Sequence, residues 1–152
     1  MKKHKITGFT LIELMITLAV ASLLAGIAYA SYSSVVVKTK RTEAKTALMK
    51  LMQQEERYFT QNTTYVAFSK ATNASDTTGF IWYSGDGAAR SAYEISGSAC
   101  QGETIQNCVL LTATPGTANV DANFKDPLCG SLTLSSNGTK GFTGTGTKDQ
   151  CW

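Results

Sequence analysis

Hydrophobic positions along this chain fall into three successive regimes. After a polar start, MKKHKITG, the run FTLIELMITLAVASLLAGIAYASY is apolar on all sides for about 24 residues, broken only by Glu13. From Ser31 the pattern turns amphipathic. Val37, Ala44, Ala47, Leu48, Leu51, Met52, Tyr58 and Phe59 recur at helical spacing, while Lys38, Lys45, Lys50, Glu56 and Arg57 fall on other faces. No proline or glycine stands between Ala28 and Thr60, so both stretches read as one helix from Phe9 to about Thr60. At 1.5 Å per residue it would be roughly 78 Å long, too long for a small globule to cover. The QNTT segment should end it, because Asn and Thr compete for backbone hydrogen bonds.

The third regime alternates. Ala92–Ser98, Cys108–Thr114, Gly130–Ser135 and Thr139–Thr143 read as strands, the last two joined by a Ser136-Asn137-Gly138 turn. Residues 66–91 read as a long connection with the apolar island Phe80, Ile81, Trp82 and Tyr83. An antiparallel sheet of four strands packed on the second half of the helix would bury both apolar faces. The expected class is α+β.

Composition sharpens the first regime. Charged residues make up only 16% of the 152, against roughly 25% in soluble domains, and the deficit is concentrated in residues 9–34. A bilayer core needs roughly 20 helical residues, so the run can span. Lys2, Lys3 and Lys5 precede it and no lysine follows until Lys38, which orients the N-terminus towards the cytoplasm. A secretory signal peptide is the bland alternative, with a weak cleavage candidate around Ala28–Ala30. Glu13 is costly inside such a helix and is therefore a functional candidate. Either it reaches the interface from near the helix end, or it pairs with a cation on a neighbouring subunit.

The cysteines and the charge balance narrow the chemistry of the rest. Cys100, Cys108, Cys129 and Cys151 all follow the exporting segment, so two disulfides are expected rather than a metal site. Three pairings are possible. The favoured one joins Cys100 to Cys108 across a loop between strands and Cys129 to Cys151 near the C-terminus. An enzyme is not expected, since the sole histidine, His4, lies in the polar start and no nucleophile motif is present. The Gly/Thr stretch 141–148 reverses the Lys–Thr order of a phosphate loop and reads as a plain loop. No cofactor is called for. After Thr60, five basic residues face seven acidic ones, which argues against a nucleic-acid partner.

The lysine-rich start, Gly8 and then Phe9-Thr10-Leu11-Ile12-Glu13-Leu14-Met15 resembles the class III signal of type IV pilins. That resemblance implies cleavage by a prepilin peptidase between Gly8 and Phe9, and N-methylation of Phe9. It also implies a wait in the inner membrane before the pilus assembly machinery draws the subunit into an extracellular pilus. Glu13 would neutralise the Phe9 amine of an adjacent subunit. The implied division is a leader at 1–8, a membrane and filament-core helix at 9–31, and a head at 32–152 that includes the rest of the helix. The family often carries a glycine and a proline where this chain has Ser22 and Ala30, so local melting of the helix in the filament is not implied.

Three further stretches, QQEERYFTQNTTY, CVLLTATP and CGSLTLSSNGTKGFTGTGTKDQCW, are similar to the minor pilins called PilE in pseudomonads and relatives. They imply a minor structural subunit serving assembly, twitching and adhesion. Alternatives within the same class are a DNA-uptake competence pilin, a major pilin and a type II secretion pseudopilin.

Overall fold

A computed structural model of the chain describes residues 9–72 and 79–152, the side chains of 27–31 excepted. Gly8 and the remainder of the expected leader lie outside the described residues. The chain divides into two units, Met1–Val36 and Val37–Trp152. Helix α1 covers Leu11–Asn62, with its first part in the first unit and the rest in the second.

In the first unit Phe9 and Thr10 precede the helix rather than opening it. The large apolar side chains from Leu11 to Leu24 stand exposed: Leu11 is 78% exposed and Val20, the least exposed of them, 52%. Two hydroxyls of this part bond back to the helix itself. Thr17 Oγ1 donates to the Leu14 carbonyl and Ser22 Oγ to the Ala19 carbonyl, both at 2.9 Å, so neither asks for water. Among the described residues no helix is long and apolar enough to cross a membrane.

The second unit is built on the amphipathic part of α1. Ala44, Leu48 and Leu51 are buried, while Ala47, Met52 and Phe59 are partly buried against the same core. The helix ends two residues later than the sequence suggests. Thr63 takes a left-handed backbone (φ 56°), its N–H donates to the Phe59 carbonyl at 2.8 Å, and Asn62 Nδ2 donates to the Tyr58 carbonyl at 3.0 Å.

Four antiparallel strands follow in the order β1-β2-β3-β4: β1 Tyr93–Ala99, β2 Val109–Pro115, β3 Leu132–Ser135 and β4 Lys140–Phe142. Their alternation places Tyr93, Ile95, Val109, Leu111, Ala113, Leu132 and Leu134 on the helix-facing side. Register pairs Gly97 with Leu111 and Leu111 with Leu134. Gly97 is required by a close approach, since a Cβ there would stand 2.7 Å from the Phe68 ring. At Gly138 a left-handed backbone (φ 82°) closes the tight turn between β3 and β4.

The parts of the connection around Phe68 and from Trp82 to Ser84 cover the outer edge of β1. Phe68 exchanges backbone bonds with Gly97, the Ile95 N–H donates to the Trp82 carbonyl, and the Ser84 N–H donates to the Tyr93 carbonyl. That edge is thereby closed to a foreign strand. A feature absent from the sequence reading is the one-turn helix α2, Lys148–Cys151, opened by a Thr147/Gln150 capping box.

Candidate functional site

Two places carry the residues singled out by sequence. At the start of α1, Thr10 and Glu13 cap the helix reciprocally. The Thr10 backbone N–H donates to Glu13 Oε2 at 2.9 Å, and the Glu13 N–H returns to Thr10 Oγ1 at 3.3 Å. Thr10 Oγ1 donates a further bond to the same Oε2 at 2.8 Å. Glu13 therefore has a role within its own chain that the sequence reading missed. The signal was present, since Thr10-Leu11-Ile12-Glu13 is the T-x-x-E pattern of a capping box. All three bonds leave Glu13 Oε1 open, and Phe9 beside it is 89% exposed.

In the second unit the four cysteines form two bridges, Cys100–Cys108 and Cys129–Cys151. The first closes the mouth of the β1–β2 hairpin, one step beyond the Ala99–Val109 pair. The second ties α2 to the loop before β3. Beneath that second bridge lies a polar cluster in the core. Arg41 reaches Asp126 with two bonds, Nε to Oδ2 at 2.8 Å and Nη2 to Oδ1 at 2.7 Å, and donates Nη1 to the Gln150 carbonyl at 3.1 Å. Tyr93 Oη donates to Asp126 Oδ2 at 2.6 Å, and the Cys129 N–H to Asp126 Oδ1 at 3.2 Å.

The electrostatics follow from that geometry. Burial pushes the Asp126 carboxyl up, but the bonds from Arg41, Tyr93 and the Cys129 N–H outweigh it and hold the group below the usual carboxylate range. Burial, then the bond to Asp126, pushes the Tyr93 phenol well above its ordinary range. A second buried acid, Glu55, accepts the Val66 N–H at 2.9 Å through Oε2. Burial raises it to about 7, opposed by the Val66 bond and reinforced by the charge of Glu56.

Neither Arg41 nor Glu55 was singled out from sequence. Both lie in phase with the apolar stripe, at positions 41, 44, 48, 51 and 55, and that phase was the available signal.

A groove of about 820 Å³ runs between α1 and residues 81–90. Its cations are Lys40, Lys50, Arg57 and Arg90, against Glu43 and Asp86, with Lys40 and Glu43 paired at 3.0 Å. The charge balance beyond Thr60 does not register this groove, because most of its cations come from α1.

Residues 30–133 match a family described as type IV minor pilin ComP, DNA uptake sequence receptor. Residues 3–29 match the prokaryotic N-terminal methylation motif. Over 62 residues the chain is 39% identical to the type IV major pilin protein PilA of Myxococcus xanthus, covering 41% of this chain and 28% of that protein. Among solved structures, a type IV pilin from Shewanella oneidensis is 22% identical, covers 76% of this chain and 97% of its own, and has a TM-score of 0.47. The Neisseria meningitidis non-core minor pilin PilV is 20% identical with coverages of 78% and 95% and a TM-score of 0.46.

Proposed function

Since the chain belongs to the family described as type IV minor pilin ComP, DNA uptake sequence receptor, we propose that it is a non-enzymatic pilus subunit that polymerises through its N-terminal helix. One observation carries this reading. The large apolar side chains from Leu11 to Leu24 are more than half exposed within the chain, inside the stretch that matches the N-terminal methylation motif. Lipid would cover that surface first and sister helices afterwards.

In this reading prepilin peptidase cuts between Gly8 and Phe9, the new Phe9 amine is methylated, and the subunit waits in the inner membrane. On incorporation, Glu13 offers its open Oε1 to the Phe9 ammonium of a neighbour while Oε2 keeps the helix cap. The resulting filament lies outside the cell and serves assembly, twitching and adhesion. The likeness to PilE-type minor pilins of pseudomonads supports the minor role.

N-terminal sequencing of sheared filaments tests the reading, with methylated Phe9 the expected first residue and any other start overturning it. Glu13→Gln keeps an oxygen for the cap and removes the charge, whereas Glu13→Val removes both. Both variants should insert in the membrane and drop out of sheared filaments by at least tenfold. Normal incorporation of the glutamine variant would remove the ion pair from the mechanism.

The family description, together with the cationic groove along α1, favours a second reading in which the exported head also receives DNA. Retardation of duplex DNA by the full-length protein in detergent, lost in Lys50→Glu/Arg57→Glu, would support it. The absence of retardation at low salt would leave the structural role alone.

A further inference from the structure

The side chain of Glu55, in the last turns of α1, is fully buried and bonds to the turn at 63–66, and that turn bonds to the loop closed by Cys100 and Cys108. Its Oε2 takes the Val66 N–H, but its Oε1 is buried with no hydrogen-bond partner among the described residues. Tyr65 continues the junction. Its ring stacks on Phe59 at 4.6 Å, its hydroxyl donates to Glu56 Oε1 at 3.1 Å, and its backbone N–H donates to the Ile105 carbonyl at 3.3 Å. Val66 is thereby linked, through its neighbour Tyr65, to the disulfide loop.

An ionised Glu55 is badly served at this place. A buried carboxylate needs several donors or a cation, and here, among the described residues, a single N–H supplies the only bond. The buried cation of this unit, Arg41, is engaged by Asp126. Glu55 makes no ion pair among the described residues. A neutral carboxyl fits better, since Oε2 still accepts from Val66 and one unsatisfied hydroxyl costs less than a buried charge. The other titratable groups around it do not relieve the charge. Glu56 on the same helix is acidic, Tyr65 from the turn is itself held protonated by burial, and Glu103 of the disulfide loop is exposed and accepts from Asn107.

We propose that Glu55 is a proton-operated latch. With its proton on, it keeps the 63–66 turn and the Cys100–Cys108 loop docked on the helix; loss of the proton undocks both. The inference is independent of how the N-terminal helix is used.

The sign follows from linkage. A carboxyl raised from 4.5 to about 7 in the docked state favours docking fully below about pH 4.5. That advantage drains away as the pH rises to about 7 and is gone above it. Hydrogen–deuterium exchange of the full-length protein in detergent, corrected for the intrinsic chemical rate, reads this at the amides of 63–66 and 103–107. Opening should increase by up to about tenfold per pH unit between those limits and then level off. Glu55→Gln should make it flat. A flat wild-type profile, or an unchanged rise in the glutamine variant, would overturn the proposal. Should that variant not fold, titration of the Glu55 carboxyl carbon in the wild-type protein decides: a midpoint near 7 supports the latch and one near 4.5 refutes it.

Discussion

Asp126→Ala should cost the second unit about 3–5 kcal/mol, enough to lower its melting temperature by roughly 10–20 °C. The carboxylate is the shared acceptor of four bonds: two from Arg41, one from the Tyr93 hydroxyl and one from the Cys129 N–H. Its removal leaves Arg41, a residue only 5% exposed, without its counter-charge, beside an unsatisfied phenol and amide. Asp126→Asn keeps the shape but turns an amide N–H towards one guanidinium or phenol donor, so a smaller loss is expected. The triple replacement Arg41→Met/Asp126→Leu/Tyr93→Phe should recover part of the stability, because no buried charge or phenol is then left unpaired, although the Cys129 N–H and the Gln150 carbonyl lose their partners. Thermal and urea melts of the full-length protein in detergent measure all three. A loss below about 1 kcal/mol for Asp126→Ala would mean that water or side-chain relaxation satisfies Arg41, against the burial seen.

The same residue sets an acid limit. Its pKa is lowered on folding, so its contribution is complete above about pH 4 and disappears as the pH falls through the depressed value. Glu55 works in the opposite sense over a higher range. Stability should therefore rise on acidification from about pH 7 to about pH 4.5 and fall below that.

Sequence periodicity located the strands to within about two residues because each alternates cleanly, as in Tyr93-Glu94-Ile95, and because turn residues bound them. The helix was legible for a similar reason, with Ala44, Leu48 and Leu51 in one stripe. What escaped were the places where a polar residue acts against its type. Arg41 and Glu55 sit in the buried stripe, and only three-dimensional proximity to Asp126, some 85 residues on, or to the Val66 amide explains why they can. A charge on a helix is normally solvated, so the periodic pattern by itself gives no reason to count either among the buried positions. Glu13 escaped in part because an acid inside an apolar run points to a partner outside the chain, while its cap with Thr10 is local. The groove escaped because charge was tallied by stretch of sequence, and two distant stretches build it.

Cys129→Ser/Cys151→Ser should cost about 3 kcal/mol, more than the roughly 2.5 kcal/mol expected for opening Cys100–Cys108, because the closed loop is longer: a separation of 22 residues against 8. Chain entropy is only part of the expected effect. The bridge also holds α2 where the Gln150 carbonyl accepts from Arg41, and holds Cys129 where its N–H reaches Asp126. Reduction should therefore loosen the buried ion pair as well as free the chain end. That connection makes the two large predictions non-additive. In the background lacking Cys129–Cys151, Asp126→Ala should cost at least about 1 kcal/mol less than in the wild type, because the cluster it breaks is already slack. A double-mutant cycle from urea melts measures the difference. Full additivity would show that the ion pair and the disulfide stabilise this unit independently, and that the contacts joining Arg41, Asp126, Cys129 and Gln150 do not act as one network.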